Sequence, residues 1–189
     1  MDLHLTGDEA ADRLLSTDPF ALLVGMLLDQ QVPMETAFAG PAKLADRLER
    51  FDAATLARLD LDELTEVMRQ TPAVHRYPGS MAKRIQALAA VVVEEYDGDA
   101  ARIWTDGQPD GPQILRRLKS LPGYGEQKAT IFLALLGKQG GLEAPGWRES
   151  AGAYGEEGSL RSIADVVDED TLLQVRETKR AAKAAAKKG

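Results

Sequence analysis

Leu118-Lys119-Ser120-Leu121-Pro122-Gly123-Tyr124-Gly125-Glu126-Gln127-Lys128-Ala129 is the stretch whose reading decides the fold. Two helix patterns meet here across a connection too short for anything but a tight glycine turn. Pro122 fixes φ, while Gly123 and Gly125 permit positive φ and close backbone approach. The second helix then begins with unpaired N–H groups and the positive end of its dipole turned outward, an anion site made of backbone. A phosphate held this way is gripped without any base being read. An ordinary αα-hairpin with a glycine cap is the alternative, but Leu-Pro-Gly-x-Gly before an apolar helix is narrower than such a turn requires.

Outward from this hairpin helix signals dominate, so the expected fold class is all-α. Aromatic residues make up only 5% of the chain, and the one long β-branched run, Val91-Val92-Val93, lies inside a helix-period pattern. Thr6-Gly-Asp-Glu9 and Asp60-Leu-Asp-Glu63 read as capping boxes, and Asp18-Pro19 as an N-cap followed by proline at the first helical position. With the Gly/Pro punctuation these place helices near 7–16, 19–31, 34–49, 53–59, 61–70, 80–96, 111–120, 126–138, 159–167 and 169–187. The segments Phe20 to Leu28 and Ala129 to Leu136 are apolar on nearly every side, which marks helices covered all round. Residues 139–158 carry six glycines and little periodicity, and so read as a long irregular segment of the functional or mobile kind.

Composition closes off several chemistries. Among 189 residues there is no cysteine, which excludes disulfides, thiol catalysis, Cys-ligated zinc and iron–sulfur clusters, and only His4 and His75 could serve a His-based metal site. No metal is therefore expected. No apolar run is long enough to span a bilayer and the start, Met-Asp-Leu-His, lacks a signal-peptide pattern, so a cytoplasmic protein is expected. Residues 176–189 carry six basic groups (Arg176, Lys179, Arg180, Lys183, Lys187, Lys188) and one acid, so a tail of +5 hangs on a remainder of −12. An acidic body argues against bulk attraction to nucleic acid; a basic tail suits a polyanion-binding arm or a solvated end.

The Leu121-Pro-Gly-Tyr-Gly125 turn with Ala129 in an apolar helix resembles the helix-hairpin-helix of the HhH-GPD superfamily of DNA base-excision glycosylases. Asp18 to Gln31 is similar to that superfamily's early buried helix, which ends in a Gln or Asn pair facing DNA. The likeness covers roughly residues 18–138. It implies two helical lobes, a helical domain at 18–138 containing the hairpin and a second lobe from 1–17 with 139–175, followed by the basic tail at 176–189. It also implies a cleft between lobes that receives an everted nucleotide, since a base inside a duplex cannot be reached otherwise. The expected partner is double-stranded DNA and the expected state a monomer without cofactor, although the resemblance also implies a monovalent cation on the hairpin carbonyls.

Residue by residue, the resemblance makes Leu121, Gly123, Tyr124, Gly125, Gln127 and Lys128 DNA-contact candidates at the hairpin. Gln31 becomes the candidate plug for the gap left by a flipped base, with Gln30 beside it, because an amide can hydrogen-bond any base edge. Two departures matter. An aspartate about twenty residues after the second hairpin glycine is expected, to assist base loss through an oxocarbenium-like sugar. This chain has no aspartate between Asp110 and Asp165. Glu143 and Glu149 are the nearest acids and the candidate catalysts, with Asp29 and Asp165 the next places to look. The lysine nucleophile of bifunctional members is replaced by Gln127, with Lys128 one position further on, which argues against a Schiff-base lyase. His75 and Arg76, beside Tyr77, are candidates for phosphate or base contact. Trp147 is a candidate base-stacking wall or a loop anchor. The leading expectation is monofunctional hydrolysis of the N-glycosidic bond of a damaged, for instance alkylated, base. The alternatives are a catalytically inactive DNA-binding or lesion-sensing hairpin protein and a protein-interaction domain.

Overall fold

Pro19 and Asp18 begin the helix on which the rest is built. The Asp18 carboxylate accepts from the N–H groups of Phe20 and Ala21 at 2.8 and 3.2 Å, closing two of the donors that a helix start leaves open. From there α2 (Pro19–Leu28) is apolar on all sides, and every residue from Phe20 to Leu28 is buried. A helix without a polar face must be surrounded. Four others surround it: α1 (Glu9–Thr17), α3 (Met34–Phe38), α4 (Gly40–Arg47) and α7 (Pro78–Tyr96). Helices α5 (Ala53–Arg58) and α6 (Leu61–Arg69) complete this side of the molecule by packing on α7.

A computed structural model of the chain describes residues 1–186. Among the described residues there is no strand, and the all-α class expected from sequence is what the chain adopts. The second side is centred on α10 (Glu126–Lys138), whose buried face runs from Ala129 to Leu136. It packs on α9 (Gly111–Ser120), on α11 (Trp147–Ser150) and on 3₁₀ turns at Gly152–Tyr154 and Ile163–Asp165. Helix α8 (Arg102–Thr105) leans on α9, and Trp104 and Tyr124 meet the Phe132 ring at centroid distances of 5.8 and 6.0 Å. The long α12 (Glu169–Ala186) closes the chain, anchored by buried Leu172 and Val175.

The departures from the sequence reading have local causes. The helix expected at 34–49 is two helices: Pro41 has no N–H to continue the first, and Gly40 lies so close to Leu28 that a Cβ there would stand 2.5 Å from its Cδ1. Helix α2 stops at Leu28 rather than 31, because Gln31 takes a left-handed φ of 59°. The N-cap of α1 is Asp8, not Thr6, since the Asp12 carboxylate captures the N–H groups of Leu5 and Thr6. The helix expected at 159–167 shrinks to the turn Ile163–Asp165, where the Asp165 carboxylate takes the N–H groups of Arg161 and Ser162. The expected helix end at 187, Lys187, Lys188 and the side chain of Lys183 lie outside the described residues.

Candidate functional site

The hairpin forms as its residues dictate. Tyr124 N–H donates to the Leu121 carbonyl at 3.0 Å, closing the turn. Gly123 stands at φ 80°, a left-handed conformation that suits glycine, and a Cβ there would meet Leu27 Cδ1 at 2.8 Å. Gly125 caps α10 with no side chain to bond the first N–H groups of the helix, and a Cβ on it would meet nothing within 4 Å. The positive end of α10 is therefore open to an approaching anion. Lys119 and Glu126 form an ion pair across the hairpin.

Two of the expected DNA contacts turn inward instead. Tyr124 is buried and its hydroxyl donates to the Leu23 carbonyl at 2.8 Å, which bolts the hairpin to α2; Leu121 is buried as well. Only their backbone can face a phosphate. Lys128 reaches back to donate to the carbonyls of Met26 and Leu27 at 2.6 and 2.7 Å, a cation on the negative end of the α2 dipole. Burial pushes its pKa down to about 8, with nearby Arg84 reinforcing and Asp29 opposing the shift.

A pH dependence follows. Between pH 8 and the ordinary lysine value of 10.5 the unfolded chain holds a proton on Lys128 that the folded one has released. Stability contributed by this group rises with pH across that window, by at most about 1.4 kcal/mol per pH unit. Burial raises the Tyr124 phenol well above 10, so ionisation in the unfolded state reverses the trend beyond that point. Urea unfolding at several pH values checks this: the stability of the parent should climb from about pH 8 to 10 relative to that of Lys128→Met, and parallel curves would contradict it.

At the end of α2 the two glutamines have different fates. Gln30 is pinned, its Nε2 donating to the Leu27 carbonyl and its Oε1 accepting from Arg84, both at 2.8 Å. His75 Nε2 lies 3.0 Å from the Gln30 carbonyl, and Nδ1 accepts from the Tyr77 N–H. With both ring nitrogens engaged and the ring 2% exposed, His75 has no free edge for DNA, contrary to expectation. Burial holds its pKa below the usual histidine range despite those bonds. Gln31, which follows in a left-handed conformation, is exposed. Arg76 is also exposed, its guanidinium 5.4 Å from the centre of the half-exposed Tyr77 ring.

Trp147 and the loop glutamates lie elsewhere. The indole packs flat on Gly137, where a Cβ would meet it at 2.2 Å, and Arg148 stacks on it at 4.5 Å. Gly137 is twelve residues beyond Gly125, or about 18 Å along the helix axis. Trp147 is thus the anchor of its loop rather than a cavity wall, and Glu149, on the same short helix, is exposed at the end of α10 away from the hairpin. Glu143 is exposed too. Asp165, the other fallback, is tied to Lys138, Ser159 and two backbone N–H groups.

A cavity of about 540 Å³ adjoins the hairpin where α10 begins. Met26 of α2 and Asp29 just beyond its end, Gln127, Lys128 and Ile131 of α10, and Tyr154 line it, together with Arg161 and residues of α12. Among the described residues its one lining carboxylate is Asp29. Gln127 donates to the Tyr154 hydroxyl at 2.9 Å, which brings the irregular segment back to the hairpin. Sequence reasoning did not find Arg84, Tyr154 or Arg161, and ranked Asp29 behind the loop glutamates.

A hairpin with an open helix start adjoins a carboxylate-bearing cavity, and an exposed glutamine follows that carboxylate by two residues. The family model of HhH-GPD superfamily base excision DNA repair proteins matches residues 24–186. The chain belongs to the HhH-GPD superfamily. Its function is accordingly of the base excision DNA repair glycosylase type, and it binds DNA. No curated protein and no solved structure matches the chain. Among the described residues no helix is long and apolar enough to cross a membrane.

Proposed function

We propose that this HhH-GPD protein is a monofunctional DNA glycosylase, working as a monomer, that flips a damaged base into the cavity beside the hairpin and hydrolyses its N-glycosidic bond. The observation that carries the reading is the Asp29 carboxylate in that cavity, next to the first turn of α10. The backbone N–H groups around Gly123 and Gly125 hold a phosphate and Gln31 fills the gap in the duplex; a monovalent cation, if bound, would be held by hairpin carbonyls and would add positive charge beside that phosphate. As the C1′–N bond breaks, its electron pair leaves with the base and positive charge grows on the sugar, where an anionic Asp29 stabilises it. Water adds to C1′ and its proton leaves to solvent or base. Gln127 occupies the position of the lyase nucleophile, and an amide cannot form a Schiff base.

The test is incubation with duplexes that each hold one damaged base. Abasic sites should form that break only on alkali treatment, with no adduct trapped by borohydride. Release of no base from any duplex would leave a non-catalytic DNA-binding protein, and a trapped adduct would restore the lyase.

Two further outcomes follow from the same reading. Gly125→Val, made where a side chain meets open space, should leave the fold intact and weaken binding to all duplexes alike, because a phosphate contact carries no base information. Fluorescence anisotropy on damaged and undamaged duplexes checks it, and unchanged affinity removes the hairpin from the interface. Truncation after Arg180, which removes Lys183, Lys187 and Lys188, should flatten the dependence of log K on log salt by up to about 0.9 per lost phosphate contact. An unchanged slope would leave the tail as a solvated end.

A further inference from the structure

The charge and the hydrogen-bonding edge of the cavity bear on which base it takes, a question that rests on the glycosylase reading above. Among the described residues three cationic side chains line it, Lys128, Arg161 and Lys179, against the single carboxylate of Asp29. The Lys128 ammonium is fixed at the wall by two carbonyls. Arg161 faces Glu156 at 3.6 Å with both heads more than half exposed, which offsets its charge only weakly. A base that already carries a positive charge, such as a purine alkylated at N7 or N3, enters such a cavity against repulsion from three cations. A neutral base does not.

The rim adds a second, independent constraint. The Gln127 amide and the Tyr154 hydroxyl are joined at 2.9 Å. With Nε2 donating to the phenol oxygen, the phenol O–H is left to donate and Oε1 to accept; with the amide reversed the roles exchange. Either way the pair offers one donor beside one acceptor. A lactam edge, a ring N–H next to a carbonyl oxygen, satisfies both members of such a pair. Buried Met26 and Ile131 supply an apolar surface for the face of the ring.

We infer that the cavity takes a neutral lactam base, as deaminated bases are, and that Gln127 and Tyr154 read its N–H and carbonyl edge. N7-methylguanine keeps that edge and is set apart by its charge alone; undamaged guanine and thymine share the edge without the charge, so discrimination against them comes from pairing: a mispaired lesion costs less to unstack and flip.

Binding to uncleavable duplexes tests this apart from catalysis. Three duplexes carry one 2′-fluoro nucleotide, which resists base loss: hypoxanthine opposite thymine, uracil opposite guanine, and N7-methylguanine opposite thymine. At least one lactam duplex should bind the full-length protein about tenfold tighter than the N7-methylguanine duplex, a preference that Arg161→Gln combined with Lys179→Gln should largely erase, whereas Tyr154→Phe and Gln127→Ala should each weaken the lactam duplexes severalfold. Equal affinity, tighter binding of N7-methylguanine, or lactam affinity unchanged in both Tyr154→Phe and Gln127→Ala overturns the inference. Base release from the 2′-deoxy counterparts separates the two levels. A binding preference without release keeps the inference and removes the hydrolytic reading, whereas preferential release of N7-methylguanine does the reverse.

Discussion

Asp29→Asn should lower single-turnover base release by at least a hundredfold, about 2.7 kcal/mol in the barrier, while duplex affinity stays within about twofold of the parent. The substitution keeps the shape of the side chain and removes its charge, so it deletes an interaction that grows as the sugar becomes cationic rather than one already made with bound substrate. Asp29 also opposes the downward shift of Lys128, so the variant should titrate that lysine lower than the parent does. This second readout distinguishes a lost charge in the cavity from a misfolded loop. Glu149→Gln and Glu143→Gln, remote from the hairpin, should release base at the parental rate. Full activity in Asp29→Asn would move the catalytic group out of this cavity.

The largest effect on stability is expected at Asp165→Ala, a loss of about 3–5 kcal/mol. Asp165 is 3% exposed in its side chain and lies 2.5 Å from the Lys138 ammonium, itself 13% exposed. The same carboxylate accepts from Ser159 and from the N–H groups of Arg161 and Ser162. Its removal leaves a largely buried cation, the buried N–H of Ser162 and the part-buried N–H of Arg161 without their partner, and the cost of that desolvation outweighs what the pair gained by forming. Urea unfolding measures the loss. Lys138→Met combined with Asp165→Leu should restore part of it, because no orphaned charge remains; a double variant as unstable as the single one would show that the hydrogen bonds to the backbone dominate instead.

The parts of this molecule legible in the sequence are those fixed by neighbours along the chain. Asp18-Pro19 before nine apolar residues specifies a buried helix, and Leu-Pro-Gly-Tyr-Gly specifies a hairpin, because caps, periodicity and φ preferences act within a few residues. Pro41 was the local signal that residues 34–49 are two helices. The cavity was less legible. Its walls come from Met26, Asp29, Gln127 and Tyr154, brought together by the bonds of Tyr124 and Lys128 to carbonyls of α2 and by the return of the irregular segment, and no spacing rule relates them. Counting forward from the hairpin leads to Glu149, which Trp147 anchors at the far end of α10. Lys128 faces α2 rather than DNA because its place on the helix turns it inward, toward carbonyls that need a donor. His75 likewise serves the end of α2, through a carbonyl 45 residues away.

The central claim is that the cavity between α2, α10 and Tyr154 receives the everted base. A crystal structure of the protein on a duplex with one uncleavable lesion tests it most directly. The predicted result is the lesion turned out of the helix with its ring over Met26 and Ile131, its sugar C1′ beside the Asp29 carboxylate, a phosphate on the N–H groups at Gly123 and Gly125, and Gln31 in the gap. A lesion still stacked in the duplex, or turned out toward Trp147 and Glu149 at the other end of α10, would contradict it.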